Sequence, residues 1–462
     1  MSYGCWVDVV NFSGEDVKLW VTLDNESNWQ DPTKLNPKIA YDGVPIAAGT
    51  SGRAHVEIAN DQTSAGFQIG FTMLGSQDTA MVHTDAWPVV NGGKRQGYIW
   101  ATQGAANKRQ YRLLEAQYDA QPNDPNGGYN WRHLSLVILP RRDPRKWLAD
   151  VPGTWLLRDL TMPGTHDSGT SAITGPTSNT IARARICQNL SLTQQLNIGV
   201  RFLDIRLNKD NGYEICHVTT DTALWMYKDC LTPVMEFLTE NDTETVLMSV
   251  QSEHGTTDAF HDDLLAMIDA SPFASKIILD DTPPDLDQCR GKIVILRRYW
   301  IDPKTNRNKA DDPRAGFGFH AFKTQSGKDI GWPDNSDTFT DQGEGNYVLQ
   351  QDGGQPVAIQ DWFDLQSRMQ ASKVAAIEKY LNAASSMLSG TMFLNFTSCM
   401  ASGHSWDDPR NFAVGEDGIN AALMIYLQRH GANRYGVIPM DFVGTPPEEA
   451  LVDLLISTNF GR

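Results

Sequence analysis

The sequence predicts two domains: an N-terminal all-β sandwich and a C-terminal irregular (β/α)8 barrel of the TIM type. Three observations carry this. Residues 1–145 show short period-2 runs separated by Gly, Asn and Asp. Residues 146–462 alternate strand-like with helix-like segments, as a parallel sheet wrapped by helices requires. Histidines, acids and an arginine stand at the ends of several strand-like runs, where such barrels place their sites.

The N-terminal runs include 6–11, 17–23, 55–58, 67–71, 98–101 and 134–138. Turns such as Gly14-Glu15-Asp16 separate them, and the expected arrangement is antiparallel. The loops are rich in Trp, Asn and Gly, which fits carbohydrate or lipid-surface binding, although aromatics in a sandwich are more often core. Pro140-Arg141-Arg142-Asp143-Pro144 reads as the linker. Beyond it, helices are expected over 191–198, 231–239, 259–270 and 366–384. Strands are expected over 202–205, 245–250, 292–296, 392–396 and 435–438. A further short strand should end at Pro163-Gly164, and the polar stretch 304–354 reads as a long loop excursion.

The chain has 462 residues, of which 40% are hydrophobic, enough for two cores. Its net charge of −17 disfavours nucleic acid, whose binding relies on surplus Lys and Arg. It equally disfavours simple electrostatic docking on anionic lipid, so a neutral or zwitterionic surface is the easier one to approach. Six scattered cysteines form no C-x-x-C pair, so buried free thiols are expected rather than a zinc site or a disulfide framework. Residues 1–6 show no basic segment followed by an apolar one, so no signal peptide is visible. The expected compartment is therefore the cytoplasm, or the exterior after processing or non-classical export. No apolar run reaches membrane-span length, so any membrane contact should be peripheral.

The candidate site begins at Met162-Pro163-Gly164-Thr165-His166-Asp167-Ser168, which places an imidazole beside a carboxylate. Asp204-Ile205-Arg206 closes the next run, His217 a third, and Asp441 follows Val437-Ile438-Pro439-Met440. One histidine can take a proton and another can give one near neutral pH. A carboxylate beside an imidazole fixes its tautomer, and arginine offers a planar fork to two phosphate oxygens. Together these suit in-line attack on a phosphodiester without metal. Alone, each is weak: a histidine in a Gly-rich loop is more often a hydrogen-bonding residue, and Arg206 alone could be a barrel salt bridge.

The His166 stretch, Gln194-Gln195-Leu196 and Gly199-Val200-Arg201-Phe202-Leu203-Asp204-Ile205-Arg206 together resemble the X-domain of phosphatidylinositol-specific phospholipase C, bacterial type. The resemblance continues through Glu244 to Ser249, Gly291 to Leu296 with Arg298-Tyr299, Trp332 to Asn335, Leu394 to Ser398 and Val437 to Asp441. It spans nearly all of 150–462 and leaves the N-terminal third unassigned, apart from a looser likeness to β-sandwich proteins of the aegerolysin type.

The resemblance implies a distorted (β/α) barrel. It implies His166 as general base with Asp441 as its orienting partner, and His217 as general acid beside Asp167. It implies Arg206 as the phosphate-binding cation, where calcium-dependent relatives carry an acidic metal ligand, so no metal or other cofactor is expected. It also implies that Arg298 and Asp361 meet inositol hydroxyls and that Phe363 takes the place of a stacking tyrosine. The sequence departs from the family at Phe363, at Gln251-Ser252-Glu253 where lysines are usual, and at Val218 where glycine is usual.

The function so implied is metal-independent cleavage of phosphatidylinositol, a phospholipid at a membrane surface, into diacylglycerol and inositol 1,2-cyclic phosphate. Two other readings stay open. One is a phosphodiesterase of the same fold acting on a different head group. The other is a non-catalytic protein binding lipid or carbohydrate through its β-domain. Acyl preference, cleavage of lipid-anchored proteins and oligomeric state are left open as well.

Overall fold

The computed structural model describes residues 3–23, 45–58, 65–75, 77, 79–86, 99–100, 111–118, 131–140, 142–173, 183–218, 220–254, 259–299, 314, 317–318, 322–323, 329–330, 332, 335, 348–349, 356–365, 370–386, 390–401, 408–414, 418–444 and 449–460. The chain divides into two compact units. The first comprises Met1–Arg142, Met424–Asn433 and Phe460–Arg462, and the second Asp143–Leu423 and Arg434–Asn459. The main break thus falls three residues before the expected 145/146 boundary. Two short downstream segments group with the N-terminal part, which hydrophobic periodicity along the chain has no means of signalling.

The first unit holds eight strands: β1 (Tyr3–Asn11), β2 (Val17–Leu23), β3 (Ser51–Ile58), β4 (Ala65–Met73), β5 (Thr79–Ala86), β6 (Ile99–Trp100), β7 (Tyr111–Tyr118) and β8 (Trp131–Pro140). They form two four-stranded sheets, β3-β1-β8-β7 and β2-β4-β5-β6. Val9, Val10, Val137 and Ile138 of the first sheet and Leu19, Phe71 and Met73 of the second are buried. One feature departs from the antiparallel expectation: β1 and β8 pair in parallel, Val7 opposite Leu134. These strands lie at the two ends of the segment, so no hairpin fixes their mutual direction.

The second unit is built on β9 (Thr161–Thr165), β10 (Phe202–Asn208), β13 (Thr245–His254), β15 (Lys292–Arg298), β16 (Phe317–Gly318), β20 (Val357–Gln360), β21 (Met392–Asn395) and β22 (Gly436–Met440). Neighbours pair in parallel from β9 through β10, β13 and β15 to β16, and again from β20 through β21 to β22. The last strand then pairs with the first, Ile438 opposite Pro163. These eight strands follow one another in chain order, the two-residue β14 (Ile277–Ile278) also pairs in parallel with β15, and with no described pairing between β16 and β20 the result is an irregular TIM-like sheet. Helices Leu192–Asn197, Thr232–Glu240, Ala259–Ala270, Gln370–Ser386 and Glu449–Ser457 alternate with the strands.

The central strands β13 and β15 carry apolar runs because both of their faces are covered. Val246, Leu247 and Met248 of β13 and Ile293, Val294, Ile295 and Leu296 of β15 are all essentially inaccessible. One expectation needs correction. The first strand runs through Pro163-Gly164 instead of ending there. Pro163 lacks an N–H, yet its carbonyl still accepts from the Arg201 amide at 2.9 Å. Gly164 is needed because a Cβ there would lie 2.8 Å from Phe202 Cδ1. The excursion expected over 304–354 lies mostly outside the described residues. Where described, it includes β16 and the two-residue strands β17 (Phe322–Lys323), β18 (Asp329–Ile330) and β19 (Val348–Leu349). Cys187, Cys216, Cys230, Cys289 and Cys399 are buried free thiols.

A buried ion pair holds the end of the barrel away from the candidate site. Arg201 precedes β10 and Glu244 precedes β13; both side chains are 0% exposed, and Arg201 Nη2 lies 2.8 Å from Glu244 Oε2. Arg201 also donates to the carbonyls of Pro144, Arg145, Leu196 and Val200. Removing the carboxylate leaves a buried guanidinium without its counter-charge. Glu244→Ala is therefore expected to cost about 3–5 kcal/mol. Its check is the urea midpoint, and an unchanged midpoint would deny the pair its structural role.

Candidate active site

The site forms where β9, β10, β15, β20, β21 and β22 end. His166 follows β9, and its amide donates to the Met440 carbonyl at 3.0 Å, which ties it to the end of β22. Asp167 adopts φ +44°, a left-handed conformation that aspartate tolerates better than most residues. The Asp167 amide donates to Asp204 Oδ2 at 3.3 Å, and the Ser168 amide to the Asp204 carbonyl at 2.9 Å. Gln188 Nε2 donates to both the His166 and Met440 carbonyls, fixing the loop from the other side.

The hydrogen bonds of His166 define its tautomer. Its Nε2 lies 2.8 Å from Arg206 Nη2, and arginine can only donate, so Nε2 carries the lone pair. Its Nδ1 therefore bears the proton and donates to Asp441 Oδ1 at 2.9 Å. Burial first, and then the charge of Arg206, hold the imidazole well below its ordinary pKa. His166 thus rests neutral, with a lone pair aimed into the site.

His217 ends β11 (Glu214–His217), which pairs antiparallel with β10 and with β12 (Thr220–Trp225). Its Nδ1 donates to the Arg185 carbonyl at 2.9 Å, so Nε2 faces Asp167 Oδ2 at 3.3 Å. The same carboxylate oxygen lies 3.1 Å from His166 Nε2. Burial and Arg206 lower the His217 pKa to about 4. Burial raises the Asp167 carboxyl well above its ordinary range, although Arg206 opposes this. One exchangeable proton can therefore be held between Asp167 and His217. Val218 follows at φ +55°, which explains why glycine is the residue that suits this position.

Arg206 points its Nε at Asp167 Oδ1, 3.0 Å away, and its Nη2 at Asp204 Oδ2, 3.2 Å away. Asp204 is inaccessible and sits between two arginines, since Arg298 Nη1 is 3.6 Å from its Oδ1. Arg298 ends β15 and binds Asp361 Oδ2 at 2.9 Å, just beyond β20. Trp332 Nε1 donates to the same oxygen at 2.7 Å, and its ring lies 3.8 Å from the Arg298 guanidinium carbon. Phe396, after β21, packs edge-on to His166 at 6.0 Å and lies 5.5 Å from that guanidinium carbon.

The structure thus gathers His166, Asp167, Arg206, His217 and Asp441 into one cluster and joins Arg298 and Asp361 to it through Asp204. Phe363 stands two residues past Asp361, with its amide donating to Asn335 Oδ1 at 3.2 Å. Its ring is not one of those over Arg298; Trp332 and Phe396 take those places. Three neighbours escaped the sequence reading as site residues: Asp204, Trp332 and Cys187. The first two lay in quoted motifs, but nothing in the spacing tells a site face from a core face. Cys187 Sγ, 4.0 Å from Asp167 Oδ2, carried no signal beyond being a cysteine. Chemically, the cluster offers a proton acceptor, a proton donor and a fixed cation around one small space.

Known proteins bear on this arrangement. Residues 160–299 match the family model for phosphatidylinositol-specific phospholipase C, X domain. The chain is 24% identical over 349 residues to a 1-phosphatidylinositol phosphodiesterase of Staphylococcus aureus, covering 72% of this chain and 99% of that one. It is 30% identical over 182 residues to a protein of the same name from Listeria monocytogenes, covering 37% and 55%. The solved phosphatidylinositol-specific phospholipase C of S. aureus, as its F249X mutant, superposes with a TM-score of 0.55 at 20% identity, covering 68% of this chain and 98% of that one. That likeness concerns the fold alone, and it agrees with the TIM-like sheet. The matched segment, residues 160–299, which holds His166, Asp167, Arg206, His217 and Arg298, is an X domain of the phosphatidylinositol-specific phospholipase C type.

Proposed function

We propose that this protein is a phosphodiesterase that cleaves phosphatidylinositol at a membrane surface, without metal, to diacylglycerol and inositol 1,2-cyclic phosphate. The observation that carries the reading is the pairing of His166 and His217 across Asp167 and Arg206. The tautomer at His166 supplies the lone pair for the inositol 2-hydroxyl proton. Its Nδ1–H stays bonded to Asp441, whose carboxylate stabilises the imidazolium so formed. The 2-oxygen attacks phosphorus, and the bond to the glycerol oxygen breaks as His217, backed by Asp167, delivers a proton to it. Arg206 stabilises the charge that develops on the phosphoryl oxygens.

The resting geometry implies an order of events. Arg206 occupies the His166 lone pair at 2.8 Å, so an incoming phosphate must draw the guanidinium away before His166 can act. The anion that does so also favours the protonated form of His217, whose resting pKa of about 4 is otherwise too low for an acid. Arg298 and Asp361 form a hydrogen-bonding pair suited to vicinal hydroxyls, and Trp332 offers a ring beside them. We assign inositol contact to this group, with Phe363 at its edge. The two sheets of the first unit are proposed to be an accessory sandwich. Among the described residues no helix is long and apolar enough to cross a membrane.

A 31P NMR time course with phosphatidylinositol and phosphatidylcholine vesicles, in EDTA, tests this. The expected result is a cyclic phosphate appearing first, from phosphatidylinositol only. Choline esters lack the neighbouring hydroxyl that the mechanism requires. Direct appearance of a phosphomonoester would overturn the mechanism.

A further inference from the structure

Cys187 is inaccessible, yet its thiol faces reactive groups instead of hydrocarbon. Its Sγ lies 4.0 Å from Asp167 Oδ2 and 3.9 Å from His217 Nδ1. Two sets of three potential ligands, each with donor atoms within 4.8 Å of one another, share this thiol: Asp167–Cys187–His217 and His166–Cys187–Asp441. In the second set both ring nitrogens of His166 are engaged, by Asp441 and by Arg206. In the first, His217 keeps Nε2 directed at Asp167.

The surroundings favour a cation. Asp167, Asp204, Asp361 and Asp441 are all buried, against the guanidiniums of Arg206 and Arg298 and the ammonium of Lys373. Asp441 Oδ2, although buried, accepts no hydrogen bond from the described residues. Burial raises the Asp441 carboxyl well above its ordinary range, so a cation nearby would favour its charged form. The ligand chemistry also selects the ion: one thiolate, one imidazole and one carboxylate suit a borderline-soft divalent metal and disfavour calcium or magnesium.

We propose that Asp167, Cys187 and His217 form an inhibitory site for a thiophilic divalent cation, with zinc as its probe. Tetrahedral zinc holds N, O and S donors about 3.4–3.6 Å apart. The His217 Nε2–Asp167 Oδ2 separation is already 3.3 Å, and the thiol, 4.0 Å from that same oxygen, needs to close on it by about half an ångström. Binding forms bonds from zinc to the sulfur, the imidazole and the carboxylate, and releases to solvent the thiol proton and the proton shared by Asp167 and His217. Three protein ligands leave a fourth position open, toward the space that the phosphate oxygens would take. A bound ion takes Nε2 of His217, so the group assigned to protonate the leaving oxygen can no longer do so. The inhibitory effect rests on the function proposed above; the binding site does not.

The test uses the full-length protein and two readouts. Cobalt(II) should give a thiolate-to-metal charge-transfer absorption, and zinc should displace it. Cys187→Ala and Cys187→Ser should both lose that band. Zinc should inhibit turnover in proportion to its displacement of cobalt, and Cys187→Ala, measured against its own zinc-free rate, should need more than about tenfold more zinc for the same fractional inhibition. A wild-type protein without the thiolate band, or Cys187 variants that keep it, would overturn the site. A band lost in the variants, in a protein that never cleaves phosphatidylinositol, would uphold the site and remove only the functional reading. Inhibition by zinc that is equal in wild type and Cys187→Ala would place the inhibitory ion elsewhere.

Discussion

His166→Ala is expected to lower phosphatidylinositol turnover by about 10²–10⁴-fold, and His217→Ala by a comparable factor, while both proteins stay folded. The two losses have separate causes. Without His166 nothing takes the hydroxyl proton, and Asp441 is left as a buried carboxylate without its partner. Without His217 the leaving oxygen departs as an alkoxide. The two histidines act in one concerted transfer, so the double variant should lose far less than the product of the single losses. Turnover measured beside the thermal midpoint is the check. Retention of most activity in either single variant would remove that residue from the mechanism.

The second large effect is expected at Arg206. Its guanidinium is the cation in contact with both His166 and Asp167, so it supplies the fixed charge on the phosphoryl oxygens. Arg206→Gln should cost about 10²–10³-fold in turnover, the range for losing one preorganised donor. Arg206→Lys should recover only part, because an ammonium keeps the charge and loses the planar fork. Wild-type activity should persist after exhaustive chelation, and Arg206→Asp should depress it strongly. Silencing of the wild type by chelator alone would replace this account with a metal-dependent one.

Much of the barrel was legible in the sequence. Five of its strands and four of its helices stand where the periodicity put them, because burial on both faces makes parallel strands predominantly apolar. The chemical side chains were legible too, as motifs at strand ends, and it is the closure of β22 onto β9 that brings Asp441 within 2.9 Å of His166 across 275 residues. Tertiary structure alone decided the rest. The tautomer of His166 depends on Arg206 and Asp441 approaching from two different strands. Asp204 links the two arginines only because β10 and β15 end at the same level. Trp332 reaches Arg298 from a distant segment, and Cys187 meets Asp167 and His217 through a loop. In the first unit, the parallel pairing of β1 with β8 was equally hidden. Hydrophobic periodicity records which face of an element is covered. It carries no record of which side chains from remote segments share a space, and in this site those side chains set every proton and charge.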